Sequence, residues 1–183
     1  MFYDFESIQD ESVFFVTLDK DNWWQGDQYA PSRGGGSRQQ PVQEQVDEYE
    51  YMAPDGYGYP VYSKEARDAG YDDSNPYVNR DPRFYRDIIY HGAPYRDNNN
   101  NPRQMNTAEG PDKINANNAT TTGYYLRKFM KDGYNKSGGF DIHSPAIWRL
   151  PEFIYIYAEA VNETTGPNQE IYDMINKVRA RSF

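Results

Sequence analysis

The sequence predicts a mainly α-helical protein of the α+β class, in which irregular loops and a few short β-strands lead into a C-terminal antiparallel helical hairpin. Three observations carry that reading. Helical hydrophobic periodicity occurs twice within residues 149–183, with a Thr/Gly/Pro turn between the two runs. From residue 1 to 148 the apolar runs are short and are separated by segments rich in Gly, Pro, Asn, Ser and Gln. The chain also carries 18 Tyr, 9 Phe and 3 Trp in 183 residues, so its core is expected to use rings in place of Leu, with a thin aliphatic part.

The hairpin is the clearest element. Pro151 suits a first helical position, and Phe153, Ile156, Tyr157, Ala160 and Val161 recur on one helical face. Gly166 and Pro167 break the pattern, which Ile171, Met174, Ile175 and Val178 then repeat. In the second run Glu170 and Asp173 come early and Lys177, Arg179 and Arg181 late, the order that complements a helix dipole. Helices are expected near 151–163 and 167–181, packed antiparallel through Phe153, Ile156, Tyr157, Ala160, Ile171, Met174, Ile175 and Val178. Ile154 and Tyr155 widen the first helix's apolar arc beyond one stripe, so a further cover is expected. The last residues, Arg179-Ala180-Arg181-Ser182-Phe183, contain no Gly or Asn cap and read as a truncation.

Residues 11–18 (ESVFFVTL) are β-branched and aromatic and are read as a buried strand. Residues 19–40 hold three consecutive glycines, Gly34 to Gly36, and read as an extended loop that carries Trp23 and Trp24. Pro41, Val42, Val46 and Tyr49 mark a short helix that Pro54-Asp55-Gly56 ends. Asp81-Pro82 starts a turn of helix, and 86–91 forms a strand. Residues 97–118, with Asn98 to Asn101 in a row, read as an exposed loop. Residues 120–130 favour a strand and 132–144 a turn-rich connection.

Charge and composition exclude several classes. Nineteen basic against 28 acidic residues leave a net charge of −9, which does not supply the concentrated positive field that nucleic acid requires. There is no Cys, hence no disulfide framework and no thiolate metal site. No apolar run approaches the roughly 20 residues of a membrane-spanning helix, and Met1-Phe2-Tyr3-Asp4 lacks the form of an export signal. His91 and His143 are 52 positions apart and lack the short spacing of zinc ligands. Asp19-Lys20-Asp21 opens like a calcium loop, but Trp23 and Trp24 stand where a further oxygen ligand and the turn glycine belong, leaving at most an irregular calcium site. No cofactor motif occurs. Gly34-Gly35-Gly36-Ser37-Arg38 lacks the lysine and the spacing of a phosphate cradle. A glycosidase would need a carboxylate pair, which 28 acidic residues neither identify nor exclude.

The positive candidate is the aromatic cluster at 22–29. A sugar's C–H face stacks on an aromatic ring while amides and carboxylates satisfy its hydroxyls, and neither interaction needs net charge. Trp23 and Trp24 as stacking platform, with Asn22, Gln25, Asp27 and Tyr29 beside them, form the densest such group in the chain. The alternative for either Trp is a hydrophobic plug beneath the loop.

Arg149, Glu152, Tyr157-Ala158-Glu159-Ala160 and Asn162, followed by Ile175-Asn176-Lys177-Val178-Arg179-Ala180-Arg181, resemble the C-terminal signature of the SusD/RagB family. Upstream, Glu11-Ser12-Val13-Phe14, Asp81-Pro82-Arg83-Phe84 with Gly92, and Gly123-Tyr124-Tyr125 with Lys128-Phe129 agree in order. The resemblance spans nearly the whole chain. It implies the C-terminal part of a SusD-like fold, cut at both ends, whose N-terminal half of tetratricopeptide-type helical repeats is missing here. It further implies a non-catalytic lipoprotein of the bacterial outer membrane, held at the cell surface by an N-terminal lipid anchor absent from this chain. Such a protein binds oligosaccharide and delivers it to a SusC-like TonB-dependent transporter. A carbohydrate hydrolase and a peptide-binding or structural surface protein are the competing classes.

Overall fold

A computed structural model describes residues 11–15, 23–97, 99, 101–130 and 146–180. From the N-terminal end its elements are strand β1 (Ser12–Phe15), helix α1 (Trp23–Gln28), a 3-10 turn at Pro31–Arg33 and helix α2 (Gln43–Asp47). Strands β2 (Tyr51–Met52) and β3 (Gly58–Tyr59) follow, then helices α3 (Lys64–Asp68) and α4 (Pro82–Asp87). Strands β4 (Ile88–Ile89), β5 (Pro94–Arg96), β6 (Pro102–Gln104), β7 (Tyr125–Leu126) and β8 (Ala146–Arg149) precede helices α5 (Leu150–Thr165) and α6 (Gln169–Arg179). The result is a mixture of helices and short strands. The strands pair as β1–β8, β2–β3, β4–β7 and β5–β6, each pair antiparallel. The chain divides into two units, residues 22–140 and the flanking segments 1–21 and 141–183.

In the flanking unit, β1 and β8 pair Ser12 with Arg149 and Phe14 with Trp148, and the Leu150 N–H donates to the Glu11 carbonyl at 2.8 Å. That bond fixes the point at which strand becomes helix. Pro151 follows in the first turn of α5, where its missing N–H costs no intrahelical bond. Asn168 caps α6, its side chain accepting from the Ile171 N–H at 3.1 Å. The two helices pack on each other. On α6 the expected face is the covered one: Ile171 is 3% exposed, and Met174, Ile175 and Val178 are half-buried.

On α5 the covered stripe is Ile154, Ala158 and Val161, one position on from Phe153, Tyr157 and Ala160, or about 100° around the axis. Phe153, Tyr157 and Ile156 are therefore exposed, Ile156 at 60%, and Ala160 is exposed too. One neighbouring helix covers one stripe, and the small Ala158 side chain suits the closest approach. The rest of the wide arc is left to solvent, along with Trp148, whose ring meets Phe153 edge-on at 5.9 Å.

The unit at 22–140 has an aromatic core, as the composition suggests. Phe84 has no exposure; the Tyr77 and Tyr90 rings stack on it at 5.9 and 5.2 Å, and Tyr49 and Tyr85 meet it edge-on. Val46, Ile88 and Tyr124 complete this cluster. A second gathers Ala30, Ile89, Ala93, Tyr95, Met105 and Tyr125, and a third Tyr51, Ala53, Val61 and Ala66.

Polar groups bind these clusters together. Arg80 is buried, with its guanidinium 4.9 Å from the Phe84 ring centre, and donates to the carbonyls of Val46 (2.6 Å), Tyr49 (2.6 and 3.1 Å) and Pro76 (2.8 Å). It thereby adds a donor to the carbonyls where α2 ends and ties that end to the segment at Pro76. Asp81, fully buried, caps α4 by accepting from the Arg83 N–H at 2.8 Å and pairs with the Arg83 guanidinium. Asp81-Pro82-Arg83-Phe84 is thus cap, first helical residue, ion-pair partner and core ring in succession.

Several expectations need correction. The strand at 11–18 is not buried in its described part, with Val13 and Phe14 each 55% exposed, and the strand expected at 86–91 is reduced to Ile88–Ile89, because Arg86 and Asp87 close the preceding helix. Residues 23–28 are helical, not an extended loop. The segment 97–118 is not wholly exposed, for β6 pairs with β5, Met105 is buried, and buried Asp112 accepts from the Ser32 N–H at 2.8 Å. Its turn-rich composition hid these long-range ties. The strand expected at 120–130 is reduced to β7, because Thr120 turns the chain by accepting from the Thr122 and Gly123 N–H groups at 3.1 Å. Helix α3, capped by Ser63, was not foreseen. Of the strand expected at 11–18, residues 16–18 lie outside the described residues, as do Asn22, His143 and the connection at 132–144.

Candidate functional site

Helix α1 carries the aromatic cluster, and the segment after it explains why it is held in place. The Gly36 and Arg38 N–H groups both donate to the Asp27 carbonyl, at 3.1 and 3.3 Å, and the Ser37 N–H donates to the Tyr29 carbonyl at 3.2 Å. The Gln28 side chain, buried, accepts from the Gln39 N–H at 2.6 Å. Glycine is required at two positions of this wrap. Gly34 has φ +77°, in the left-handed region. A Cβ on Gly35 would lie 1.9 Å from the Tyr29 carbonyl oxygen. The N–H groups of the three glycines go to the carbonyls of Pro31, Ala30 and Asp27, so the run serves the backbone around α1 and offers no cradle to an anion.

The candidate residues divide by position. Trp23, Trp24 and Gln25 lie in α1 and Asp27 is exposed on it, while Asn22 lies outside the described residues. Consecutive helical positions are about 100° apart and positions four apart share a face. Trp23 therefore stands one turn before exposed Asp27, and Trp24 one turn before buried Gln28. Tyr29 is a correction: at 4% exposure it belongs to the core, with the Arg33 guanidinium 4.6 Å from its ring centre. A ring so deeply buried, with a cation over one face, offers neither face to a ligand. His91 is an acceptor for the Thr107 N–H at 3.1 Å through Nδ1.

The sequence does not flag a second polar group, formed by Tyr49, Asp87 and Lys128. Asp87 Oδ2 accepts from the Tyr49 hydroxyl at 2.8 Å and from Lys128 Nζ at 3.2 Å, while its carbonyl accepts from the Arg127 and Lys128 N–H groups. Burial first, and the neighbouring Asp87 charge second, push the Tyr49 phenol far above its ordinary pKa, so it remains a neutral donor. These residues are separated by about 40 positions in the chain and no local spacing announces them.

Residues 10–183 match the model of the SusD family. No curated protein matches the chain. Among solved structures, a SusD-like protein of Bacteroides fragilis superposes with a TM-score of 0.71 at 23% identity, over 94% of this chain and 35% of its own. A SusD-like carbohydrate binding protein of the same organism does so with a TM-score of 0.72 at 23% identity, over 94% and 34%. At that identity the likeness is one of fold, and the chain spans about a third of the length of each structure.

Proposed function

Because this chain belongs to the SusD family, we propose that it is a bacterial cell-surface protein that binds oligosaccharide without transforming it and delivers it to a SusC-like TonB-dependent transporter. The observation that carries this reading is the family match over 174 positions, from 10 to 183. The carbohydrate-binding description of one fold neighbour is consistent with it. The lipid anchor of such a protein would sit on a cysteine outside these residues, which contain none. Among the described residues no helix is long and apolar enough to cross a membrane.

In this reading the chain is the C-terminal part of a SusD-like protein, with its last two helices as an antiparallel hairpin and an N-terminal helical-repeat half as the missing cover for α5. The glycan lies on α1, with Trp23 and Asp27 on one face as ring platform and hydroxyl partner, and Gln25 beside them. A neutral sugar offers no charge to grip, so a ring plane with a few amides and carboxylates is an efficient surface. Removing a stacking ring weakens binding by about 1 to 3 kcal/mol on the analogy of bases on aromatic rings, or roughly tenfold and more.

Calorimetry against a glycan panel, joined to product analysis, tests the proposal. Binding without turnover is expected, with Trp23→Ala weakening it more than Trp24→Ala. Hydrolysis of any panel member would replace the reading by a glycosidase, and silence on the panel together with peptide binding would replace it by a peptide-binding protein.

A further inference from the structure

A cavity of about 340 Å³ opens beside the Asp87 group, between α2 and the β4–β7 pair. Its construction is specific. Ile88 and Leu126, paired across the two strands, and Val42 at the start of α2 supply apolar wall. Tyr49, Asp87 and Lys128 supply the polar end, and the exposed Gln45 amide stands at the rim. Asp87 is held from both sides: its carbonyl takes two backbone N–H groups and its Oδ2 takes the Tyr49 hydroxyl and Lys128 Nζ. Among the described residues no hydrogen bond reaches Oδ1, although the side chain is only 16% exposed. One carboxylate oxygen is therefore fixed by the bonds to its partner oxygen and open to a donor.

The charges in the cavity cancel, since Asp87 and Lys128 are already 3.2 Å apart. A zwitterionic amino acid would have to break that pair, and a phosphate would meet a lysine already neutralised in a chain of net charge −9. A neutral polyol leaves that pair intact, and the site's donors and acceptors offset the water its hydroxyls give up. A hydroxyl donates to Asp87 Oδ1, the remaining Lys128 protons reach a ring or hydroxyl oxygen, Gln45 both donates and accepts, and the C–H side of the ring meets Val42, Ile88 and Leu126. The volume lies at the low end of the ~300–1,000 Å³ usual for small-ligand sites, room for one sugar ring. The cavity wall is tied to α1 through the Gln39 N–H on Gln28.

We propose that this cavity is a single-ring sugar subsite, in which Asp87 and Lys128 read adjacent hydroxyls of one pyranose of the glycan. The proposal rests on the glycan-binding reading above and adds a site distinct from the ring platform on α1.

Backbone amide NMR on the full chain tests it, with methyl α-D-glucopyranoside, methyl β-D-galactopyranoside and glycine as separate probes. Shifts at Gln45, Leu126 and Lys128 with a glycoside, and none with glycine, are expected. Asp87→Asn should weaken the glycoside at least tenfold, and Gln45→Trp, which fills the rim and leaves the Asp87 contacts in place, should abolish its shifts while the rest of the spectrum stays folded. Glycoside shifts confined to residues 23–28 would overturn the subsite and leave glycan binding standing. Equal shifts with glycine would overturn it in favour of a zwitterion site. No shift with any glycoside, on a chain that also fails the glycan panel, would sink both readings.

Discussion

Phe84 receives four tyrosine rings and has no solvent exposure, so truncating it leaves a cavity that neighbours on several elements cannot close together. Phe84→Ala should cost about 3–5 kcal/mol, read by urea unfolding; a loss below about 1 kcal/mol would show that Phe84 is not the hub. The tyrosines also give the fold an alkaline limit. Burial pushes the Tyr125 phenol up to about 12 and raises Tyr49, Tyr95 and Tyr124 in the same direction. A folded pKa above the unfolded value near 10 means that the folded chain keeps protons the unfolded chain releases. The stability involved is fully present below about pH 10 and is lost as pH rises through about 12. Phenolate absorbance should rise together with loss of near-UV circular dichroism. Titration of every tyrosine near pH 10 in a chain that stays folded would contradict this.

Among the elements, the C-terminal helices were the most legible, because a period of 3.6 over long runs needs no knowledge of the rest of the chain. Their contact face was less so. Periodicity gave α6 correctly through Ile171 and Met174, but α5 is apolar on too broad an arc for its own pattern to choose between the Phe153–Tyr157 stripe and the Ile154–Ala158 stripe. The order of mutational effects follows from the burial observed. Ile171→Asp, which buries an unpaired carboxylate, should cost on the order of 3 kcal/mol or more. Ile175→Asp should cost less, and Ile156→Asp should fall within about ±0.5 kcal/mol in this chain. Thermal unfolding of the three variants checks the order, and Ile156→Asp as the most damaging would reverse the assignment of faces. Helix α1 was illegible for the opposite reason. Its six residues include Gly26 and no clear periodicity, and bonds from Gly36, Arg38 and Gln39 onto its last turn hold it. Those contacts also settle Tyr29 as core, which an aromatic residue in a polar stretch does not reveal. The Tyr49–Asp87–Lys128 group shows the same limit, since its members meet only once α2, α4 and β7 are assembled.

At the scale of the whole molecule the main physical tension is the apolar surface left by the unit of residues 1–21 and 141–183. Val13, Phe14, Ile147, Trp148, Leu150, Phe153, Tyr155, Ile156 and Tyr157 are all exposed, on a pair of strands and the helix that continues from one of them. Trp148 and Phe153 touch, which joins strand and helix in one apolar surface of the kind soluble monomers rarely leave to water, and a chain spanning a third of its fold neighbours is consistent with a cover supplied by further sequence. The proposed helical-repeat half would supply it, and the consequence is measurable. The 183-residue chain should bind a hydrophobic dye and self-associate as concentration rises. Replacing Trp148, Phe153 and Ile156 together by Ser should abolish dye binding and self-association with little loss of the Phe84 core, because none of the three is buried in this chain. In a longer protein that carries the repeat half, the same triple change should instead be destabilising, because it would then remove interface packing at about 25 cal/mol per Å² of apolar area. A sharp, concentration-independent melt of a dye-free 183-residue monomer would show that the patch is tolerated as it stands and that no cover is needed.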